Sequence, residues 1–382
     1  MNFRETAAQQ SFRRQISDFI GAHLPPDWLR VDGPEREAVR NGFLTALGER
    51  GWVAPAWPRE YGGAGMSYYE QFVFNEEMAK ARAPAAPGVG VATVGPTLIM
   101  HGSEEQRRTY LQRILDLSMI WCQGFSEPSA GSDLASLTTR AVRQGDTFVV
   151  NGQKIWTSLA HRADRMLLLA RTDPDAPKHR GITAFLLDMK TPGITVAPIV
   201  NMLGHHGFNQ DYFDDVVVPA EDLLGELHGG WSCARTTLNT ERSQIRSVSA
   251  LAQTVDDFIV RIQERREQVN AIQRLQVVDR SVEVAVGRMM AFRVVTMQEA
   301  GIPPVHESSC QKLYLSELAQ RVAQTGMSLV GLFGQGSSPQ DRRSFGWRAQ
   351  QMYLSTVTST IAGGTSEVQR NIIATRGLGL PR

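Results

Sequence analysis

The feature that most constrains the fold is a block of strand-like sequence, residues 121–227, that lies between two helical segments. Runs such as RMLLLARTD, GITAFLLDM and DYFDDVVVP are rich in apolar residues and are separated by glycine and proline, as in strands joined by turns. Residues 1–120 and 228–382 instead repeat apolar residues every three or four positions, which is typical of helices. This order predicts an α+β protein with a small barrel or sandwich between helical domains.

The clearest strand pattern is DTFVVNGQKIWTS, residues 146–158. Asn151-Gly152 is a dipeptide that favours a type I′ turn, so we predict a hairpin centred on it. Its second strand would end in Trp156, Thr157 and Ser158. An indole could cover an aromatic cofactor ring while Ser158 donates a hydrogen bond, although core packing is the more common fate of a strand tryptophan.

Near the C-terminus, TSTIAGGTSEVQRNIIATR places two glycines directly before a helical pattern. Ser366 with Gln369 three residues later fits a capping box, which predicts a helix that begins there. The unpaired N–H groups and partial positive charge of such a helix end suit a phosphate or a carbonyl oxygen.

Composition excludes several classes of protein. The formal net charge is +1, from 40 Lys and Arg against 39 Asp and Glu, which gives no electrostatic reason to expect nucleic acid or an acidic membrane surface as partner. Cys122, Cys233 and Cys310 lie far apart without a CxxC pair, so we expect neither a disulfide framework nor a zinc site. Without a signal-peptide core or an apolar run of roughly 18 residues, the chain is expected to be soluble and cytoplasmic.

Two loops have compositions that could bind a ligand, but each also has a simpler structural interpretation. QGFSEPSAGSDLAS, residues 123–136, offers glycine and hydroxyl groups to a ligand, but such a loop is more often only a turn. No GxxxxGK[ST] is present and no GxGxxG follows a strand, so a Rossmann fold is not indicated. In NMLGHHGFNQ, the neighbouring His205 and His206 lack a partner at ligand spacing, and we predict exposed loop histidines rather than a metal site.

One acid interrupts an otherwise apolar helical face. In TTLNTERSQIRSVSALAQTVDDFIV, Glu241 lies in the same helical stripe as a set of apolar residues: Leu238, Ile245, Val248, Ala252, Val255 and Ile259. A glutamate is rarely buried without a partner, so its place on this face suggests a function. The alternatives are a solvated edge of the stripe or neutralisation by Arg242.

Five segments in one order resemble the acyl-CoA dehydrogenase family over essentially the whole chain: WPREYGGAGM (57–66), FSEPSAGSD (125–133), NGQKIWTS (151–158), DYFDDVVVPAEDLLGE (211–226) and IAGGTSEVQRNIIATRGLGLP (361–381). The resemblance implies an N-terminal helical domain (1–120), a middle β-barrel (121–227) and a C-terminal four-helix bundle (228–382). It implies FAD between barrel and bundle, an acyl-CoA substrate oxidised to a trans-2-enoyl-CoA, and an electron-transfer flavoprotein as electron acceptor.

The resemblance also implies roles for single residues. Glu127 accompanies the flavin loop, and Ser132 falls where the family contacts the CoA portion of the substrate. The residues implied to bind the cofactor are Gln123, Phe125, Ser126, Trp156, Ser158, Thr365 and Glu367.

The family's usual catalytic glutamate is replaced here by Gly363. A subset of the family, including isovaleryl- and long-chain-type enzymes, carries its base on a bundle helix in a Leu-x-x-Glu-Arg context, which LNTER (238–242) matches. The resemblance therefore implies that Glu241 removes the α-proton while Cβ gives a hydride to the flavin. The residues implied to bind substrate are Asn239, Arg242, Gly363 and Gly364.

Two family elements that hold the pyrophosphate and adenosine of FAD are absent. No Arg-x-x-Phe-Gly follows the base helix, where Arg265, Arg266 and Arg274 are the candidates to compensate, and GLFGQGSS (331–338) replaces a Gln-x-x-Gly-Gly turn. These losses resemble a branch that assembles from two different subunits, so a heteromer, a homotetramer and a dimer all stay open. The alternative functions are a non-catalytic partner subunit and a flavin oxidase. The acyl group of the substrate stays open too, although the sequence motifs resemble those of bacterial pimeloyl-type and steroid side-chain enzymes.

Overall fold

The computed structural model describes residues 5–84, 88–240, 245–335 and 344–381. The chain divides into two compact units. The first comprises Met1–Ala46, Met66–Pro84 and Arg242–Arg382, and the second comprises Leu47–Gly65 and Ala85–Glu241. Each unit is therefore built from segments that are distant in the sequence.

The elements follow one another in the order that the sequence predicts, with helices at both ends and strands in the middle. The helices are α1 (Ala7–His23), α2 (Gly33–Glu49), α3 (Tyr68–Lys80), α4 (Gly95–His101), α5 (Glu104–Leu115), α6 (Gly230–Thr240), α7 (Ile245–Glu264), α8 (Ala271–Glu299), α9 (Val305–Val330), α10 (Phe345–Thr356) and α11 (Ser366–Ile372). The strands are β1 (Trp121–Gly124), β2 (Arg140–Gln144), β3 (Thr147–Ser158), β4 (Arg165–Arg171), β5 (Ile182–Asp188), β6 (Ile194–Val200), β7 (His206–Pro219) and β8 (Leu223–Leu224). The predicted α+β class is confirmed.

Several helices begin at capping boxes, which explains where the amphipathic patterns start. In α3, the Ser67 hydroxyl accepts from the N–H of Glu70, whose carboxylate accepts from the N–H of Ser67. The same reciprocal pairing opens α1, α5 and α8. Each box satisfies N–H groups that the first helical turn leaves without partners.

The core of the first unit is apolar and joins α3 to α7, α8 and α9. Its buried members on α7 are Val248, Leu251, Val255 and Phe258. Val248 and Val255 belong to the predicted stripe, but Leu238 and Ile259 are 36% and 39% exposed. The buried face of α7 is thus rotated from the predicted one toward Leu251 and Phe258.

The second unit is organised around an eight-stranded sheet with the order β6-β7-β3-β2-β4-β5-β8, and β1 pairs with β4 in parallel. Residues of β4 are buried on both of its faces. Leu167 and Leu169 pack into a cluster with Trp57 and Leu98, whereas Met166 and Leu168 belong to the cluster on the opposite face. Continuous burial explains why RMLLLAR is apolar throughout rather than alternating.

The predicted hairpin at Asn151-Gly152 is wrong. β3 runs through both residues, and the turn that reverses the chain lies at Gly145 and Asp146, between β2 and β3. Gly152 instead lies at a register shift between β3 and β7, with φ +146°. A Cβ there would lie 2.7 Å from Cα of Thr139, so this glycine permits close backbone approach at a bulge.

In the part of the chain that the structure describes, no helix combines the length and the apolar character needed to cross a bilayer.

Truncation of Phe258 tests the rotated face of α7. Phe258 is 2% exposed, and its ring packs edge to face with that of Phe345, with 5.7 Å between the ring centroids. We expect Phe258→Ala to lower the free energy of unfolding by about 3–5 kcal/mol, because it leaves a cavity in the core. The neighbouring Ile259→Ala should cost less than about 1 kcal/mol. Denaturant unfolding followed by circular dichroism measures both, and equal losses would contradict this packing.

Candidate active site

The segment that follows β1 is anchored to β3 by backbone and side-chain contacts. The carbonyl of Ser126 accepts a hydrogen bond from the N–H of Ile155 at 2.9 Å. Phe125 is 5% exposed and packs in the core, so only its backbone is available to a ligand, whereas Gln123 and Ser126 are partly exposed. The segment therefore offers backbone groups and small polar side chains beside β3.

A buried ion pair holds this segment in place. Lys154 on β3 donates to a carboxylate oxygen of Glu127 at 2.8 Å and to the carbonyl of Phe125 at 3.0 Å. Glu127 also accepts from the N–H groups of Thr138 and Thr139 at 2.7 and 2.9 Å. Both charged side chains are almost completely buried. The pair thereby joins three separate stretches of chain.

The environment of the pair shifts the pKa of both groups. Burial by itself would raise the pKa of Glu127, but the Lys154 ammonium and the hydrogen-bond donors lower that pKa to about 2. Burial lowers the pKa of Lys154 to about 8, although Glu127 acts in the opposite direction. Both groups are charged at neutral pH, and the folded state depends on their mutual neutralisation.

The indole of Trp156 is exposed rather than packed in the core. Its indole is 59% exposed, and its backbone has φ +65° at a register shift between Ile155 and Thr157. A non-glycine residue in this left-handed region costs of order 1 kcal/mol and is found mainly where function requires it. The rings of Trp156 and Phe208 lie edge to face, with 6.4 Å between their centroids. Ser158, two residues on, is partly exposed.

A polar cluster supports the end of this strand. Asn209 is completely buried and donates through Nδ2 to the carbonyl of Thr157 at 2.9 Å. Its Oδ1 lies 2.7 Å from Nε2 of His206 and 3.2 Å from Nδ1 of His161. The two imidazoles stack at 3.9 Å. His206 is exposed as predicted, but it is part of this cluster rather than a free loop residue.

The described residues contain no group of three or more His, Cys, Asp and Glu that could hold a metal ion.

Asp211, opposite Lys154 in the register of β3 and β7, is a completely buried acid. Burial raises its pKa to about 6, while the neighbouring Thr157 hydroxyl acts to lower it. Neither carboxylate oxygen of Asp211 makes a hydrogen bond of normal geometry within the described residues. Because the folded pKa is above the unfolded one, the stability that Asp211 contributes is lost as the pH rises through about 6.

The glycine pair near the C-terminus forms a turn with free donors. Gly363 and Gly364 have φ +66° and +87°. Neither N–H donates to an acceptor within the described residues. A Cβ on Gly363 would meet nothing within 4 Å, whereas one on Gly364 would lie 2.6 Å from Nε2 of Gln369. The turn thus contains two backbone N–H groups that have no partner among the described residues.

The predicted cap of the following helix is displaced by one residue. Thr365, rather than Ser366, is the N-cap of α11, and its hydroxyl accepts from the N–H of Val368. Gln369 does not complete a box but turns back toward the glycines. Thr365 and Glu367 line a cavity of about 530 Å³ together with Arg370.

The remaining predicted substrate residues are described only in part. Ser132 is exposed in the loop after β1. Asn239 lies in the last turn of α6, where the backbone alone is described. Glu241 and Arg242 lie outside the described residues. Of the three arginines considered for the pyrophosphate, Arg274 donates to the carbonyls of Arg266 and Val269.

Comparison with known proteins gives a consistent result over the whole chain. The family models for the N-terminal, middle and C-terminal domains of acyl-CoA dehydrogenase match residues 6–118, 122–216 and 228–378. The chain is 35% identical to acyl-CoA dehydrogenase IpdE1 of Mycobacterium tuberculosis, over 98% of each chain. It is 30% identical to the human mitochondrial short-chain specific acyl-CoA dehydrogenase, over 96% of this chain and 89% of that one.

Solved structures agree with this result. The complex described as Tcur3481-Tcur3483 steroid ACAD matches with a TM-score of 0.88 and 33% identity over the full length of both chains. The ChsE4-ChsE5 complex from Mycobacterium tuberculosis matches with a TM-score of 0.84 and 32% identity, again over the full length of both.

The domain models span nearly the whole chain and its full-length relatives are dehydrogenases, which together define an oxidoreductase. The chain belongs to the acyl-CoA dehydrogenase family, whose enzymes use FAD. Its own residues fit that cofactor, because an exposed flat indole is held in a strained backbone conformation beside Ser158 and the partly exposed Ser126. The assignment of these residues to the cofactor stays a prediction, and the sequence analysis missed Lys154, whose only signal was a lysine within a strand pattern.

Removal of one member of the buried pair should be far more harmful than removal of both. We expect Glu127→Gln to lower the free energy of unfolding by about 3–5 kcal/mol at pH 7.5, because Lys154 is left buried without a counter-ion. The double variant Glu127→Gln/Lys154→Met should regain most of that loss. Thermal unfolding and flavin content of the purified proteins measure the effect. If the double variant is no more stable than Glu127→Gln alone, the ion pair does not anchor the segment.

The same pair predicts an acid-sensitive stability. The pKa of Glu127 is depressed in the folded state to about 2, so its contribution is present above its ordinary value of 4.5 and is lost as the pH falls toward 2. The double variant should lack this part of the pH dependence, which unfolding midpoints between pH 7.5 and 3 would reveal.

Proposed function

We propose that this chain oxidises the Cα–Cβ bond of an acyl-CoA thioester to a trans-2-enoyl-CoA. The observation that carries the proposal is the glycine turn, because the free N–H groups of Gly363 and Gly364 suit the oxygen of a thioester carbonyl. Donors fixed at that oxygen stabilise the enolate character that develops when the α-proton leaves. Membership of the acyl-CoA dehydrogenase family supports the same reaction.

Glu241 is the proposed base. Its carboxylate takes the proton from Cα while the pair of electrons left behind forms the new double bond to Cβ. When bound, FAD supplies the acceptor for the hydride that leaves Cβ. The substrate thereby loses a proton and a hydride, and its atoms and electrons balance. Gly363 contains no group that accepts a proton, so its role in this proposal is limited to its backbone N–H.

The other site residues keep the roles that the resemblance implies. We assign Gln123, Phe125, Ser126, Trp156, Ser158, Thr365 and Glu367 to the cofactor. Ser132, Asn239 and Arg242 are assigned to the substrate. Electrons would pass from the reduced protein to an electron-transfer flavoprotein. The ring of Phe125 is buried and its carbonyl accepts from Lys154, so Phe125 can contribute only its remaining backbone groups.

A steroid-derived acyl-CoA is the substrate class that we favour. The support is the similarity to the complex described as a steroid ACAD, at 33% identity over the whole chain. Dicarboxylic acyl-CoAs of the pimeloyl type are the second class to compare, because the sequence motifs resemble those of enzymes for steroid side chains and of enzymes for pimeloyl-type substrates.

A second acyl-CoA dehydrogenase-type chain is the proposed partner. The surface that supports it is an exposed apolar stripe on one face of α8, formed by Ile272, Leu275, Val278, Val282, Val286 and Met289, which are 40–69% exposed. An apolar stripe of this length is unusual on an unpartnered helix. Two similar structures, Tcur3481-Tcur3483 and ChsE4-ChsE5, are described as pairs of proteins.

Replacement of the base tests the mechanism. We expect Glu241→Gln to bind acyl-CoA but to lose at least about 10³-fold in the rate of flavin reduction, because no group then takes the α-proton. The measurement is anaerobic bleaching of the flavin by steroid-derived, dicarboxylic, short and long acyl-CoAs. Wild type should be bleached fastest by the steroid-derived compound. A Glu241→Gln protein that bleaches at the wild-type rate would exclude this base.

A relocated carboxylate provides the matched control. Space around Gly363 is open, so Glu241→Gln/Gly363→Glu should fold, at a cost of roughly 1–2 kcal/mol for a side chain at positive φ. We expect this double variant to regain part of the bleaching rate. Gly364→Glu on the same background should not, because its Cβ would collide with Gln369.

A charged substitution in the apolar stripe of α8 tests whether this stripe is the assembly interface. Val282→Glu should shift the molar mass measured by light scattering toward the 42.3 kDa monomer, because a buried glutamate would be desolvated in the interface. Val142→Glu, at a similarly exposed valine on β2, should leave the assembly unchanged. If both variants assemble like wild type, the stripe is not the interface.

A further inference from the structure

The glycine turn is held from inside by two side chains. Lys312 on α9 donates through Nζ to the carbonyl of Gly364 at 2.6 Å and to the carbonyl of Ser359 at 3.2 Å. Gln369 on α11 donates through Nε2 to the carbonyls of Gly363 and Gly364 at 3.4 Å each. Two helices thus hold the oxygens of two consecutive peptide units.

Holding these oxygens determines where the N–H groups point. A peptide unit is planar and trans, so its N–H points away from its C=O. The Gly363 carbonyl shares a peptide unit with the N–H of Gly364, and the Gly364 carbonyl shares one with the N–H of Thr365. Glycine has little conformational preference of its own, so the turn needs such external contacts to keep one geometry.

Lys312 is an unusual choice for a purely structural tether. Both of its hydrogen bonds go to backbone oxygens rather than to a carboxylate. Burial lowers its pKa, and Glu367 counteracts that effect. A cation on the carbonyl side of a peptide unit polarises it, which makes the N–H on the opposite side a stronger donor. The contact therefore fixes the peptide unit that follows Gly364 and polarises the N–H of Thr365, while Gln369 holds the peptide unit that contains the N–H of Gly364.

We infer that Lys312 is a positioning residue for the reaction, which holds the Gly363–Gly364 turn in one geometry through the Gly364 carbonyl so that the N–H groups of the turn meet the thioester oxygen. This inference rests on the proposed function of the turn. Lys312 does not touch the substrate. It acts on the transition state, in which the oxygen carries more negative charge than in the ground state.

Variants at Lys312 separate tethering from charge. Lys312→Met removes both, Lys312→Gln retains a neutral donor, and Lys312→Arg retains the charge and the donors. We expect kcat to fall at least about tenfold in Lys312→Met with KM changed less than roughly threefold, because the lost interaction is stronger in the transition state. Lys312→Arg should recover most of the rate, and Lys312→Gln less of it.

A control variant and a second readout address loss of folding. Tyr314, two residues further along α9, donates through its hydroxyl to the carbonyl of Glu283 on α8 at 3.0 Å and not to the glycine turn. We expect Tyr314→Phe to lower the melting temperature while kcat stays at the wild-type value. Hydrogen–deuterium exchange of peptides covering residues 359–368 should increase in Lys312→Met but not in Tyr314→Phe.

The outcomes distinguish this inference from the proposed function. If no acyl-CoA reduces the wild-type protein, the proposed function fails, and the inference fails with it. If wild type is reduced and Lys312→Met keeps its kcat, the proposed function stands and Lys312 has no positioning role. If exchange rises in Lys312→Met while kcat is unchanged, Lys312 tethers the turn structurally and the inference is overturned.

Discussion

The arrangement of the β-sheet site depends on one buried ion pair, Lys154 with Glu127. The carboxylate joins β3 to the segment before β2, and the ammonium joins β3 to the carbonyl of Phe125. Two buried charges are stable in this position only because each neutralises the other and backbone N–H groups satisfy the remaining oxygens. The strained Trp156 lies two residues from Lys154. The exposed conformation of Trp156 is therefore supported by a strand that the buried ion pair at Lys154 holds in place.

The same physical solution recurs in the helical unit. Lys312 contacts the carbonyl of Gly364 as Lys154 contacts that of Phe125. In both places a lysine on a regular element binds a backbone oxygen of an irregular segment. The irregular segments are thus held by side chains from a strand and a helix, which supply the rigidity.

Much of this organisation could be predicted from the sequence, because it depends on periodicity. The helix, strand and helix blocks follow from apolar spacing, and Trp156 with Ser158 follows from the strand pattern and the family resemblance. Asn151-Gly152 misled the prediction because a glycine at a bulge looks the same in sequence as one in a turn, and only the contact with Thr139 distinguishes them. Lys154 and Lys312 were missed because their partners lie 27 and 52 residues away, and no local pattern records such pairings.

The discontinuous helical unit has a consequence for synthesis of the chain. Glu76 on α3 accepts a hydrogen bond from Arg288, 212 residues later, and Phe72 packs in a core whose other members lie on α7, α8 and α9. When α3 leaves the ribosome, the residues that cover its apolar face do not yet exist. The segments from Leu47–Gly65 and Ala85–Glu241 can meanwhile complete their own core. The aromatic face of α3 therefore stays uncovered until the last third of the chain is made. During that interval the nascent chain is most prone to aggregation and to binding by chaperones.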